Sequence, residues 1–167
     1  MEFRKSRIED IPEMMEIVRQ AQEYFKSKDI DQWQDGYPNE ENLRGDIEAD
    51  ESYVMLLDGK IVATTAISFR GESTYDKIYE GNWLSDGKYG VVHRVAVSNE
   101  HKGKGLSHEI MKFSQNMCKE LGYNSIKIDT HRDNFVMRGL LEKNGFEYCG
   151  VILLEDGAER VAYEKVF

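Results

Sequence analysis

Residues 91 to 107 read Val-Val-His-Arg-Val-Ala-Val-Ser-Asn-Glu-His-Lys-Gly-Lys-Gly-Leu-Ser, a β-branched run followed by a basic turn that carries two glycines. Gly103 and Gly105 let the backbone fold tightly and bring its N–H groups against a ligand. A helix starting just after them adds unpaired donors and the positive end of a dipole. Such a turn suits a phosphate group. Lys102, Lys104 and His101 would add positive charge against a pyrophosphate. Two common phosphate loops do not fit. The dinucleotide fingerprint needs a third glycine where this chain has His108, and the Walker loop needs Lys-Ser/Thr after its last glycine, where Leu106 follows Gly105.

The segment resembles the acetyl-CoA loop of the GNAT acetyltransferase superfamily, which follows a Val-rich strand with Gln/Arg, two residues, Gly, one residue and Gly/Ala. Lys102-Gly103-Lys104-Gly105-Leu106-Ser107 matches it with Lys102 in place of Gln/Arg and Ser107 as the last small residue. A second segment runs from Asn134 through Leu141-Glu142-Lys143-Asn144-Gly145-Phe146 and resembles the family's later motif, an Asn opening a helix that ends in Glu-Lys-x-Gly-Phe. The resemblance implies an acetyl-CoA-dependent N-acetyltransferase acting on the amine of a small molecule or peptide, with acetyl-CoA as cosubstrate. A non-catalytic acyl-CoA-binding or regulatory module of the same fold is the alternative. The resemblance also implies that residues 102 to 107 hold the diphosphate and that Val95, Ala96 and Val97 pair with the pantetheine arm. The Val95 N–H would be the oxyanion donor, and Asn134 would contact the pantetheine.

Attack on a thioester needs a neutral amine, so a group with a pKa near the operating pH would help. His93 is the first candidate for that base, because His93, Val95 and Val97 share one face of a regular strand. Glu80 is a weaker one. The family's usual acid, a tyrosine just before Glu-Lys, is Leu141 here. Tyr148, Tyr89 or solvent would have to replace it. The histidines lack His-x-x-x-His spacing and a neighbouring Cys pair, so no metal is expected. Trp33, Tyr37 and Trp83 fall on expected loops and could wall an acceptor pocket.

The chain has 167 residues and a formal charge of −9. The acidic balance argues against nucleic-acid binding, which relies on clustered Lys and Arg. Two cysteines, Cys118 and Cys149, show no disulfide-framework or metal-ligand spacing and read as buried thiols. No apolar run approaches the roughly 20 residues that cross a bilayer. The N-terminus has no signal-peptide pattern, so a cytoplasmic protein without membrane partners is expected.

One domain over residues 1–167 is expected. Phe3 to Ile8 reads as a strand, and Asp10-Ile11-Pro12-Glu13 as a helix start with Asp10 as N-cap and Glu13 closing a capping box. Ile11, Met14, Met15, Val18, Ala21 and Phe25 form that helix's core stripe. Residues 39 to 50 form a second, more polar helix with Leu43 and Ile47 inward. Its acidic residues could rim an amine site or simply face solvent. Asp58-Gly59 and Asp156-Gly157 mark two hairpins. Leu106, Ile110, Phe113, Met117 and Leu121 are the buried stripe of a third helix, and residues 125 to 130 alternate Ile126 and Ile128 against Lys127 and Asp129. Residues 70 to 90 read as an excursion at the sheet end. The order β-α-α-β-β-β-α-β-α-β-β implies an α/β fold. It is the order the GNAT fold has, and the resemblance implies a mixed, mostly antiparallel central sheet flanked by helices, with a splayed strand pair holding acetyl-CoA. The C-terminal strands could pair with a second copy in a homodimer.

Overall fold

The computed structural model describes all residues, 1–167. Its elements follow the expected order: β1 (Glu2–Lys5), α1 (Ile11–Ser27), α2 (Glu40–Glu48), β2 (Ser52–Leu57), β3 (Lys60–Ser68), β4 (Gly90–Val97), α3 (Leu106–Glu120), β5 (Ser125–Thr130), α4 (Phe135–Lys143), β6 (Glu147–Leu153) and β7 (Glu159–Val166). The strands make a seven-stranded sheet in the order β1-β2-β3-β4-β5-β7-β6, mostly antiparallel. The chain divides into two compact units, Met1–Ile67 with His93–Glu109, and Ser68–Val92 with Ile110–Phe167.

In the first unit, β1 and β3 run antiparallel on either side of β2. Asp58 and Gly59 close the β2–β3 hairpin with φ of 50° and 77°. Both central residues of such a tight turn need positive φ, which explains the Asp-Gly pair. The helical stripe packs as its spacing requires: Ile11, Met14, Met15 and Val18 of α1 lie against Leu43, Val54, Ile61 and Ala96. Met14 and Val18 are completely buried, each worth about 1.5–3 kcal/mol relative to an exposed side chain. At α2, Asn39 and Asn42 close a reciprocal capping box, each side-chain oxygen accepting the other's backbone N–H at 2.9 Å.

The entry to α1 departs from expectation. β1 stops at Lys5, and residues 8 to 10 form a turn of 3-10 helix that leads directly into α1. Asp10 itself has helical φ and ψ and caps nothing in α1. Its carboxylate accepts from the Arg7 N–H at 2.7 Å and from Arg4 Nη1 and Nη2 at 2.7 and 3.0 Å. The Arg4 bond is the main reason its pKa lies below the usual aspartate value.

The second unit is built on β5, β7 and β6, which pair antiparallel from Ser125↔Val166 to Thr130↔Val161 and from Glu147↔Glu164 to Leu153↔Glu159. Gly157, at φ 85°, turns β6 into β7. β4 and β5 run parallel with two rungs, Gly90↔Ile126 and Val91↔Lys127, and β4 continues to Val97. Residues 70 to 89 form the expected excursion, with a short 3-10 turn at Ser73–Tyr75, and it is anchored within the second unit. Tyr75 packs with Val91, Ile152 and Ala162, and Trp83 and Tyr89 lie against that cluster. Trp83 Nε1 donates to the Tyr75 carbonyl at 2.8 Å, and Tyr79 bridges to Val151. Gly81 is required there, since an added Cβ would sit 1.9 Å from the Cys149 carbonyl oxygen.

Two buried charged side chains, Lys127 and Glu164, lie beneath this covering. Lys127 does not alternate outward; it is 5% exposed. Its ammonium lies 4.1 Å from the Tyr89 ring centre and 4.5 Å from that of Trp83, and burial lowers its pKa. Its register partner Glu164 is fully buried. The carboxylate accepts from Ser125 Oγ at 2.6 Å, from the backbone N–H of Leu84 at 2.8 Å and of Ser85 at 3.3 Å, and from Ser85 Oγ. Leu121 also differs: α3 ends at Glu120, so Leu121 lies past the helix and is 57% exposed. The buried positions of that stripe are Leu106, Ile110, Met111, Ser114 and Cys118. Burial pushes the thiols of Cys118 and Cys149 up to about 11, which keeps them protonated and unreactive at neutral pH.

Candidate functional site

The glycine loop sits in the first unit, between the end of β4 and the start of α3. Gly103 and Gly105 have φ of 77° and 79°, a left-handed conformation that glycine adopts without steric cost. An added Cβ at either would meet nothing within 4 Å. The glycines therefore serve the backbone path and the open space beside it, not internal packing. Lys102, Gly103, Lys104 and Gly105 are exposed, whereas Leu106 is buried and anchors the first turn of α3. The Glu109 N–H closes onto the Gly105 carbonyl at 3.1 Å, so Gly105 caps the helix and leaves the preceding and first-turn donors directed outward.

The charges of the glycine loop are not equivalent. Lys102 is exposed as a residue, but its Nζ lies 4.5 Å from the Tyr24 ring centre, and this partial desolvation lowers its pKa. Lys104 is exposed. The Nδ1 atom of His101 is buried without a hydrogen-bond partner.

β4 supplies the remaining first-unit candidates. Thr65 Oγ1 donates to the His93 carbonyl at 3.0 Å and the Ser98 N–H to the Val62 carbonyl at 2.8 Å, which fix the strand on either side of Val95. His93, Val95 and Val97 are half-buried and Ala96 is buried. Between His93 and Val95 the strand is not regular, because Arg94 has φ 52°. Two-residue alternation therefore does not carry across Arg94. Its guanidinium is held by the Asp46 carboxylate, Nε to Oδ2 at 2.7 Å and Nη2 to Oδ1 at 2.5 Å, and Nη1 donates to the Tyr37 hydroxyl at 2.9 Å. This cluster was not legible in the sequence, where Asp46 was one of several acids on a polar helix. Trp33 packs edge-on against Phe25 at 5.8 Å and joins the first unit's core. Tyr37 is 41% exposed.

In the second unit, Asn134 is 5% exposed and caps α4, its Oδ1 accepting from the Met137 N–H at 3.1 Å. Leu141 is fully buried. Of the alternative acids, Tyr89 accepts from the Glu72 N–H at 3.2 Å. Tyr148 is 47% exposed and packs edge-on to Tyr163. Glu80 is exposed. His131 Nδ1 accepts from the Asp133 N–H at 3.0 Å. No group of three or more His, Cys, Asp or Glu is arranged to hold a metal ion. No helix is long and apolar enough to cross a membrane.

The seven-stranded mixed sheet has a strand running through a left-handed glycine loop into a helix, and known proteins share this arrangement. Residues 12–146 match the acetyltransferase (GNAT) family. The chain belongs to that family. A GNAT-family acetyltransferase of Streptococcus agalactiae 2603 is 33% identical, with a TM-score of 0.89 over 99% of this chain and 95% of that one. The PaiA N-acetyltransferase of Thermoplasma acidophilum, solved in complex with coenzyme A, shares the fold at 17% identity, with a TM-score of 0.72 over 99% and 98% of the two chains. An S-alkylcysteine N-acetyltransferase of Bacillus subtilis (strain 168) is 27% identical over 111 residues. That match covers 66% of this chain and 57% of the relative's length.

Proposed function

We propose that residues 1–167 act as one N-acetyltransferase domain that moves the acetyl group of acetyl-CoA to the amine of a small acceptor of the S-alkylcysteine kind. The observation that carries this reading is the cradle of Gly103 and Gly105, both left-handed and both facing open space. In it, the amides of residues 102 to 107 hold the diphosphate, with Lys102 and Lys104 adding charge. Val95, Ala96 and Val97 lie on β4 beyond its two rungs to β5, where an extended pantetheine arm could add to the strand. Acetyl-CoA supplies an activated carbonyl; the chain's own part is to donate the Val95 N–H to its oxygen as negative charge develops. His93 takes the proton of the incoming amine. Tyr37, exposed on the first unit, borders the acceptor. The protein is placed in the cytoplasm, works without a metal or nucleic acid, and could act as a homodimer.

The buried Leu141, where a tyrosine acid would stand, favours one competing reading, a module that binds acyl-CoA without turning it over. Thiol release from acetyl-CoA in the presence of S-methyl-L-cysteine separates the two. The transferase reading expects release that depends on the amine, and a His93→Ala variant slower by about tenfold or more with little change in cofactor affinity. Saturable CoA binding with no release for any amine would establish the module instead. Full turnover in the His93 variant would remove histidine as the base.

A further inference from the structure

A left-handed backbone is uncommon for a residue that is not glycine, and inside a strand it costs energy that something else must offset. Arg94, at φ 52°, adopts it in the middle of β4. Its side chain is held at three of its nitrogens, by both oxygens of Asp46 on α2 and by the hydroxyl of Tyr37. The two charged groups are only 18% and 13% exposed. An ion pair serving only to pin α2 to the strand needs no unusual φ on the strand. A left-handed residue within a strand has a different consequence, because it rotates the next peptide group out of the regular ladder direction. Here that peptide bears the Val95 N–H.

We infer that Arg94 is a positioning residue: Asp46 and Tyr37 grip its guanidinium so that β4 keeps a left-handed kink, and the kink aims the Val95 N–H. The inference rests on the reading of Val95 as the donor to the acetyl carbonyl. It also gives Tyr37 a second part. A residue of the 31–38 loop, bordering the acceptor, is wired by one hydrogen bond to the residue that orients the donor. Removing the grip should therefore disturb the reaction more than the binding of either substrate.

The test compares Arg94→Ala, Arg94→Gly, Asp46→Asn and Tyr37→Phe with the unaltered protein. Readouts are acetyl-CoA turnover with S-methyl-L-cysteine and the Val95 amide resonance in a ¹⁵N–¹H spectrum with and without acetyl-CoA. Arg94→Ala and Asp46→Asn are expected to lower kcat about tenfold with KM for acetyl-CoA within about twofold, the pattern of a lost transition-state contact. Arg94→Gly should recover several-fold over Arg94→Ala, because glycine keeps the left-handed backbone without the grip. Tyr37→Phe, which retains the ion pair, should show a smaller loss in kcat. Equal losses for Gly and Ala, or a loss carried by KM, overturn the inference. Should Arg94→Ala not fold, Asp46→Asn and Tyr37→Phe carry the test. The spectrum decides without turnover. Acetyl-CoA should move the Val95 amide in the unaltered protein and move it less in Asp46→Asn. The same movement in both refutes the positioning role. No movement in the unaltered protein, with the cofactor bound, refutes the donor reading instead.

Discussion

Replacing Gly105 with valine is expected to raise the dissociation constant for coenzyme A by about tenfold or more while leaving the fold intact. Gly105 has φ 79°, and a β-branched residue held there carries strain of order 1–3 kcal/mol. Relaxing that strain re-aims the loop's amides. The added side chain would also stand where the backbone must approach the diphosphate. Because a Cβ at this position meets no protein atom within 4 Å, the loss should not come from a disrupted core. Circular dichroism and the thermal midpoint report the fold, and calorimetric titration with coenzyme A reports the site. Undiminished affinity in a folded variant would mean that the loop does not hold the cofactor. Gly103→Ala, with a similar φ of 77° and a smaller side chain, should fall between the two.

The second large effect concerns stability. Glu164→Ala should cost about 3–5 kcal/mol, the range for removing one member of a buried charged network. Four donors lose their acceptor: Ser125 Oγ, Ser85 Oγ and the N–H groups of Leu84 and Ser85. The Lys127 ammonium, 5% exposed and paired in register with Glu164, loses that residue's favourable charge. For a chain of this length the thermal midpoint should fall by about 10 °C. Hydrogen exchange at Leu84 and Ser85 should rise first, because their amides are anchored directly by the carboxylate. Glu164→Gln, which keeps an acceptor oxygen, should lose less. A destabilisation under about 1 kcal/mol would show that the network contributes little beyond its packing.

The signals that proved legible are local ones. Asp58-Gly59 and Asp156-Gly157 prescribe left-handed turns, and the structure has positive φ at Asp58, Gly59 and Gly157. The stripe of α1 and the two-glycine turn before α3 depend on neighbours within one or two turns of chain. The features missed depend on partners far away in sequence. Residues 70 to 89 read as an excursion with no visible anchor, because their contacts are with Glu164, Val151 and Cys149, which no short window contains. Lys127 looked solvent-facing because alternation assumes one wet side of a sheet, and here Trp83 and Tyr89 cover it. Asp10 looked like a helix cap because the short turn preceding α1, and the reach of Arg4, were not visible in its spacing.

Of the candidate site, the glycine loop was readable and the irregularity of β4 was not. A strand pattern of Val-Val-His-Arg-Val-Ala-Val carries no mark that Arg94 adopts a left-handed backbone. Its guanidinium is held by Asp46 and Tyr37, both supplied by other segments. The acidic helix around residues 40 to 48 likewise contains one carboxylate with a different task from the rest, since Asp46 is turned inward onto Arg94.

Isothermal titration of the folded protein with coenzyme A tests the central claim most directly. Saturable one-site binding, tighter at low than at high ionic strength and weakened in Gly105→Val, is the predicted result. No heat and no saturation up to millimolar cofactor would contradict it.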